Sequence, residues 1–145
     1  MAGDPDVQQV AAALYLSVGL LRRQLRRQAL EGELTLPESA ALARLERAGP
    51  TTAAALAKVE QISPQSMGAT LGRLESRGLV RRRPDPADGR RVVLSLTGEG
   101  ARVLRDRRDA RAGQLARALA DGFTGPELGQ LMAAAPLLER LAQSL

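Results

Sequence analysis

The sequence predicts a mainly α-helical fold that carries one small β-hairpin. Three observations predict it. Apolar residues, mostly Leu, Ala and Val, recur at three- and four-residue spacing along much of the chain, as one buried face of a helix requires. With one Phe, one Tyr and no Trp among 145 residues, aliphatic side chains must fill the core, which favours helices over a sandwich. Finally, "LVRRR" and "RVVLSLT" have strand character and flank a turn built from Pro84, Asp85, Pro86, Asp88 and Gly89. The length suits one domain with its own core.

The elements follow in order. From Asp6 to Gln28 the residues Val10, Leu14, Val18, Leu21 and Leu25 define one long helix, ending in the basic run Arg22 to Arg27; "EGEL" (31–34) breaks the pattern. A second helix starts at Thr35, which forms a capping box with Glu38; Leu42 and Leu45 make its apolar stripe, and Gly49-Pro50 stops it. A short third helix begins at Thr52, with Leu56 and Val59 expected to face inward. The fourth is the best punctuated. Ser63 is its N-cap, Pro64 occupies the first helical position, and Ile62 and Met67 are spaced for a hydrophobic staple. Met67, Leu71 and Leu74 form its buried face. Gly78 fits the left-handed position beyond its end, where Leu74 and Leu79 meet in a Schellman motif. After the hairpin, Thr97 caps a second long helix with Ala101, Leu104, Leu115 and Leu119 as buried positions. Thr124 and Glu127 form a further capping box that opens a last helix bearing Leu128, Leu131, Met132, Ala135, Leu138 and Leu141, which Pro136 is expected to kink.

Composition excludes several chemistries. There is no Cys and no His, which removes disulfides, thiol redox sensing, and the commonest general base and zinc ligand. No nucleophile elbow or phosphate-cradling Gly-rich loop is present, so neither an enzyme nor a cofactor or metal site is expected. No apolar run is long enough for a membrane span, and "MAGDPDVQQV" lacks the order of a signal peptide, so a soluble, cytoplasmic protein without a membrane partner is expected. The net charge is +5, from 21 basic and 16 acidic residues, and the pI is about 11.1. A polyanionic partner is indicated, though the placement of the arginines says more than their number.

A short helix, a turn and a sharply capped helix make a helix-turn-helix, whose second helix can enter a DNA major groove. The buried stripe of that second helix leaves Gln65, Ser66, Gly68, Ala69, Gly72 and Arg73 on the opposite side. Small residues there permit close approach to base edges, Gln65 suits adenine, Ser66 a base or phosphate, and Arg73 guanine or a phosphate. Arg77 follows as a phosphate contact or a solvated turn residue. The hairpin then carries Arg81, Arg82, Arg83, Arg90 and Arg91 against Asp85 and Asp88. A wing of this kind reaches the DNA backbone and the adjacent minor groove, where Arg is favoured.

The run from Leu56 to Thr97, with "SPQSMGATLGRLESRGLVRRRPDPADGRRVVLSLT" at its centre, resembles the MarR family of bacterial transcription regulators. "LESRGLV" (74–80) and the wing "DPADGRRVVLSLT" (85–97) carry the resemblance. It implies a homodimer of winged helix-turn-helix subunits, with residues 1–34 and 98–145 supplying the dimerisation helices and 35–97 the DNA-binding region. It also implies a ligand-responsive repressor on a palindromic operator. The DNA-binding set would be Ser63, Pro64, Gln65, Ser66, Ala69 and Arg73 on the recognition helix, with Arg83, Asp88, Gly89, Arg90 and Arg91 on the wing. In the matching motif the Asp orients the Arg that enters the minor groove, roles that fall to Asp88 and Arg90. The chain departs from the family at Gly68 and Ala69, where polar residues are usual, and at Gly89, which loosens the wing tip. The family commonly binds small organic effectors. Tyr15 in the first helix is a candidate contact for one, although a lone tyrosine there also reads as a core residue with its hydroxyl at the edge.

The segment Arg102 to Arg111 holds five arginines and two aspartates, expected to be exposed or paired with acidic residues. Two other functions fit the residues: a basic protein binding nucleic acid by charge alone, and a dimer that grips a protein partner through a winged fold.

Overall fold

In the computed structural model residues 3–28, 32 and 34–145 are described. They form α1 (Val7–Arg27), α2 (Leu36–Ala48), α3 (Ala53–Glu60), α4 (Pro64–Ser76), β1 (Val80–Pro84), β2 (Val92–Leu96), α5 (Gly98–Gly122) and α6 (Gly125–Gln143). The chain divides within α5 into two compact units, one up to Arg107 and the other Arg108–Leu145. Part of the break expected over 31–34 lies outside the described residues; Leu34, at its end, is buried in the core.

The core of the first unit is aliphatic. Leu42 and Leu45 of α2, Leu56 of α3 and Leu71 and Leu74 of α4 pack with Leu94 of β2, all almost inaccessible to solvent. Local chemistry sets the ends of these helices. Thr35 and Glu38 satisfy each other's backbone N–H groups, and Thr52 caps α3 through the Ala55 N–H at 3.1 Å. Val59 does not face inward: it is about half exposed, and Ala57 is buried instead. The inward stripe of α3 runs through Leu56 and Ala57, and Val59 lies off it.

β1 and β2 pair antiparallel, with Val80 opposite Leu96, Arg82 opposite Leu94 and Pro84 opposite Val92. Pro84 therefore ends a strand rather than opening the turn, where its missing N–H costs little. Thr51, just before α3, exchanges backbone hydrogen bonds with Leu94 at 2.7 and 3.1 Å and ties the hairpin to the helices.

α5 starts from the end of α4. The Thr97 N–H donates to the Leu79 carbonyl at 3.1 Å, its hydroxyl donates to the Gly78 carbonyl at 2.6 Å, and the same oxygen accepts the Gly100 N–H at 3.0 Å. Gly100 is buried because it lies against this junction: a Cβ there would sit 2.2 Å from the Leu79 carbonyl oxygen and 2.7 Å from Leu96 Cδ1. Of the four positions expected to be buried on α5, only Leu104 is; Ala101, Leu115 and Leu119 are half-buried. The helical period marks an apolar stripe but not how much of it a single chain covers.

In the second unit, Thr124 and Glu127 form their capping box at the start of α6, and the helix runs on through Pro136. Leu131, Met132, Leu137 and Leu141 are exposed, and α6, like α1, buries none of its residues. Hydrogen bonds from the Thr124 backbone N–H and then from its hydroxyl hold the Glu127 carboxyl below its ordinary value of 4.5.

Gly100→Ala forces an overpacked contact with backbone and should destabilise the fold by about 2 kcal/mol, seen as a melting temperature lower by several degrees; an unchanged melting temperature would contradict the packing. The Glu127 cap is complete at neutral pH and is lost as pH falls through the lowered folded value, because the carboxylate is the form that accepts. The Glu127 side-chain NMR resonance should therefore titrate with a midpoint below 4.5.

Candidate nucleic-acid interface

α4 is shaped by both of its ends. The Ser63 side chain accepts the Ser66 N–H at 3.0 Å, and Pro64 starts the helix. Ile62 is half-buried against the core beside the buried Met67, the arrangement of a staple. At the other end Gly78 has φ +73°, the Leu79 N–H donates to the Leu74 carbonyl and the Gly78 N–H to the Glu75 carbonyl, both at 2.9 Å. This is the Schellman closure read from the sequence.

Between these ends Met67, Thr70, Leu71 and Leu74 are buried, while Gln65, Ser66, Gly68, Ala69, Gly72 and Arg73 are exposed, as are Ser63 and Pro64. The Ser66 hydroxyl oxygen accepts from the Ser63 hydroxyl at 2.9 Å, which leaves the Ser66 O–H to donate elsewhere. Nothing lies within 4 Å of a Cβ at Gly68 or Gly72. The fold therefore gives no reason for either glycine in a helix interior, where each is less favourable than Ala.

Arg73 is not free to aim at a base. Its Nε donates to Glu38 Oε1 at 3.1 Å and its Nη2 to Thr70 Oγ1 at 3.3 Å, while Arg77 Nη1 lies 3.7 Å from Glu38 Oε2. In the sequence Glu38 carries only the mark of a capping residue. Its two arginine partners lie far along the chain, and no local pattern signals them.

The strand period sorts the wing arginines. Arg82 shares the inner face with Leu94 and binds Glu75 of α4 through its Nε. Arg81 and Arg83, opposite Ser95 and Val93, project from the other face. At the tip the Asp85 side chain accepts the Ala87 N–H at 2.9 Å and the Asp88 side chain accepts the Arg90 N–H at 3.1 Å, while the Arg91 N–H donates to the Asp88 carbonyl at 3.0 Å. Asp88 thus acts on the backbone of Arg90 rather than on its guanidinium, an Asx turn that aims the residue from its Cα. Gly89 has no left-handed φ and open space around it. Arg81, Arg83, Arg90 and Arg91 are exposed, and among the described residues none of them forms an ion pair. Four guanidinium groups are left for an external anion.

Other candidates fall elsewhere. Tyr15 is 82% exposed, not a core residue, because α1 buries no side chain; it lines a shallow depression of about 290 Å³ with Leu16, Gly19, Arg22 and Arg23. Arg102 pairs with Glu99 and, at 2.9 Å, with Asp106; its bond to Glu99 holds that carboxyl below its ordinary range. Among the described residues no group of carboxylates is placed to hold a metal ion, and no helix is long and apolar enough to cross a membrane.

A capped helix with a small, polar exposed face beside a basic two-stranded wing defines a winged helix-turn-helix DNA-binding protein. Residues 34–92 match the family model described as MarR family. The uncharacterized HTH-type transcriptional regulator Mb0904 of Mycobacterium bovis is 38% identical over 117 residues, 81% of either chain. The crystal structure of a transcriptional regulator protein from Pseudomonas aeruginosa PA01 superposes with a TM-score of 0.77 at 37% identity, covering 96% of this chain and 99% of that one. A mutant MarR from Escherichia coli complexed with operator DNA shares the fold, with a TM-score of 0.58 at 24% identity over 94% of this chain and 99% of its own. The chain belongs to the MarR family of transcription regulators and is not an enzyme.

Because Gly68 and Gly72 serve nothing inside the fold, their replacement by Ala should raise stability by about 0.5–1 kcal/mol each. The same change should weaken specific DNA binding by keeping the helix out of the groove. Calorimetry and fluorescence anisotropy on the Gly68→Ala/Gly72→Ala protein check both halves; a more stable variant that binds as well as the parent would remove the groove role.

Proposed function

We propose that the protein is a sequence-specific, ligand-responsive repressor that binds a palindromic operator as a homodimer in the cytoplasm. The observation that carries this reading is the exposed Gln65–Gly72 face of α4 beside four wing guanidiniums that form no ion pair among the described residues. In a major groove, Gln65 and Ser66 are the side chains equipped to read base edges, and Ala69 suits a thymine methyl. Ser63 and Pro64 start the helix, whose first N–H groups favour a backbone phosphate. Arg90, aimed by Asp88, enters the minor groove, with Arg83 and Arg91 on the flanking backbone. Gly89 lets the tip approach closely.

Residues 1–34 and 98–145 form the dimerisation region in this reading. Val10, Val18 and Leu21 on α1, and Leu131, Met132 and Leu141 on α6, are exposed along helical stripes and call for a covering surface. A two-fold axis then sets two recognition helices one helical turn of DNA apart, about 34 Å. A dimer seated across a promoter blocks polymerase, and a small organic effector releases it. The Tyr15 depression on α1, with Arg22 and Arg23, is a polar-edged place for such a molecule.

Arg90→Ala should weaken binding to a duplex enriched by the parent protein by roughly tenfold or more, with circular dichroism and sedimentation unchanged. Anisotropy measures it. Parental affinity in a folded, dimeric Arg90→Ala protein would refute the wing assignment, and equal binding to enriched and scrambled duplexes would favour recognition by charge alone.

A further inference from the structure

The geometry points to Glu38 as a positioning residue that holds Arg73 and Arg77 together as a clamp for one DNA backbone phosphate. The inference rests on the DNA-binding reading above and assigns it two contacts that differ from base readout.

Glu38 is 5% exposed, and a carboxylate so buried must be paired and hydrogen-bonded. It is. Oε2 accepts the Thr35 N–H at 3.1 Å and faces Arg77 Nη1 at 3.7 Å, and Oε1 accepts from Arg73 Nε at 3.1 Å. Arg73 and Arg77 are four residues apart at the end of α4, a spacing at which like charges repel. The Glu38 carboxylate, arriving from α2, offsets that repulsion and holds the two guanidiniums side by side. Both remain near the surface, with side chains 54% and 42% exposed.

Arg73 uses its Nε edge on Glu38 and one Nη2 hydrogen on the buried Thr70, so both Nη1 hydrogens stay available. The three groups together carry a formal charge of +1, which one phosphodiester neutralises. Arg73 and Arg77 lie on the flank of α4 toward α2, beside rather than on the Gln65–Ala69–Gly72 line. The flank of a helix seated in a major groove meets the phosphate ridge, not the base edges. An arginine already fixed by bonds to a carboxylate and a hydroxyl, as Arg73 is, loses less freedom on binding than a free one.

The test uses the full-length protein and Glu38→Gln. Glutamine keeps a carbonyl oxygen for the Thr35 N–H, so the α2 cap survives while the anion is lost. Affinity for the enriched duplex should fall about tenfold, and the slope of log affinity against log salt should shrink by about 0.9, the loss of one phosphate contact. In an Arg73→Gln/Arg77→Gln background, Glu38→Gln should cause no further loss, because it acts through those arginines. Arg77→Gln alone leaves the Arg73–Glu38 bond in place and should still lower affinity several-fold with a shallower slope, a readout independent of how well Glu38→Gln folds. Parental affinity and slope in both single variants, tighter binding by Glu38→Gln, or an undiminished tenfold loss in the double-arginine background would each overturn the clamp. Failure of the parent to prefer any duplex would instead overturn the DNA-binding reading beneath it.

Discussion

The contact between Gly100 and the Leu79 carbonyl fixes the geometry on which the placement of α4 and the wing depends. No side chain fits there, since a Cβ would stand 2.2 Å from the oxygen, and so the start of α5 can press directly on the backbone that joins α4 to β1. Thr97 completes the junction by bonding Gly78 and Leu79 while capping α5. Three elements therefore leave one point: the recognition helix ends, the first wing strand begins, and the long helix starts. Moving any one of them moves the other two, which is how a packed junction behaves.

From this junction the wing and α4 are held as neighbours by charge as well as by packing. Arg82 reaches back to Glu75, and its inward direction follows from the strand period that sends Arg81 and Arg83 the other way. One residue of register thus separates an arginine that braces the wing from those left exposed without an ion pair among the described residues. On the far flank Glu38 does for α2 and α4 what Glu75 does for the wing and α4. The arginines of α4 and the wing divide into those that brace the fold, Arg73 and Arg82, and those with no ion pair among the described residues, Arg81, Arg83, Arg90 and Arg91.

What the sequence made legible was mostly local. Capping boxes at Thr35 and Thr124, the Ser63-Pro64 start and the Gly78 end each depend on residues within about five positions, and each was found where read. Contacts between distant segments were not legible. The Arg73–Glu38 bond spans 35 residues, and Gly100 carries no local sign that it must be glycine. Val59 misled because a helix of eight residues has too few turns to fix its inward stripe. Leu115 and Leu119 misled for another reason: an apolar period looks the same whether its own chain covers it or something else does. Of the site, the exposure of the α4 face and the wing tip is legible in the sequence, while the bonds of Arg73 to Glu38 and of Arg82 to Glu75 join segments that no local pattern connects.

The most direct measurement is a selection of duplexes from a fully randomised pool by the full-length protein at physiological salt, followed by sequencing of what it retains. A two-fold symmetric regulator that reads bases through α4 and the wing should enrich an inverted repeat, with half-site centres one helical turn apart, about 10 base pairs. Retention of duplexes with no shared sequence would contradict specific recognition and leave a protein that binds DNA by charge alone.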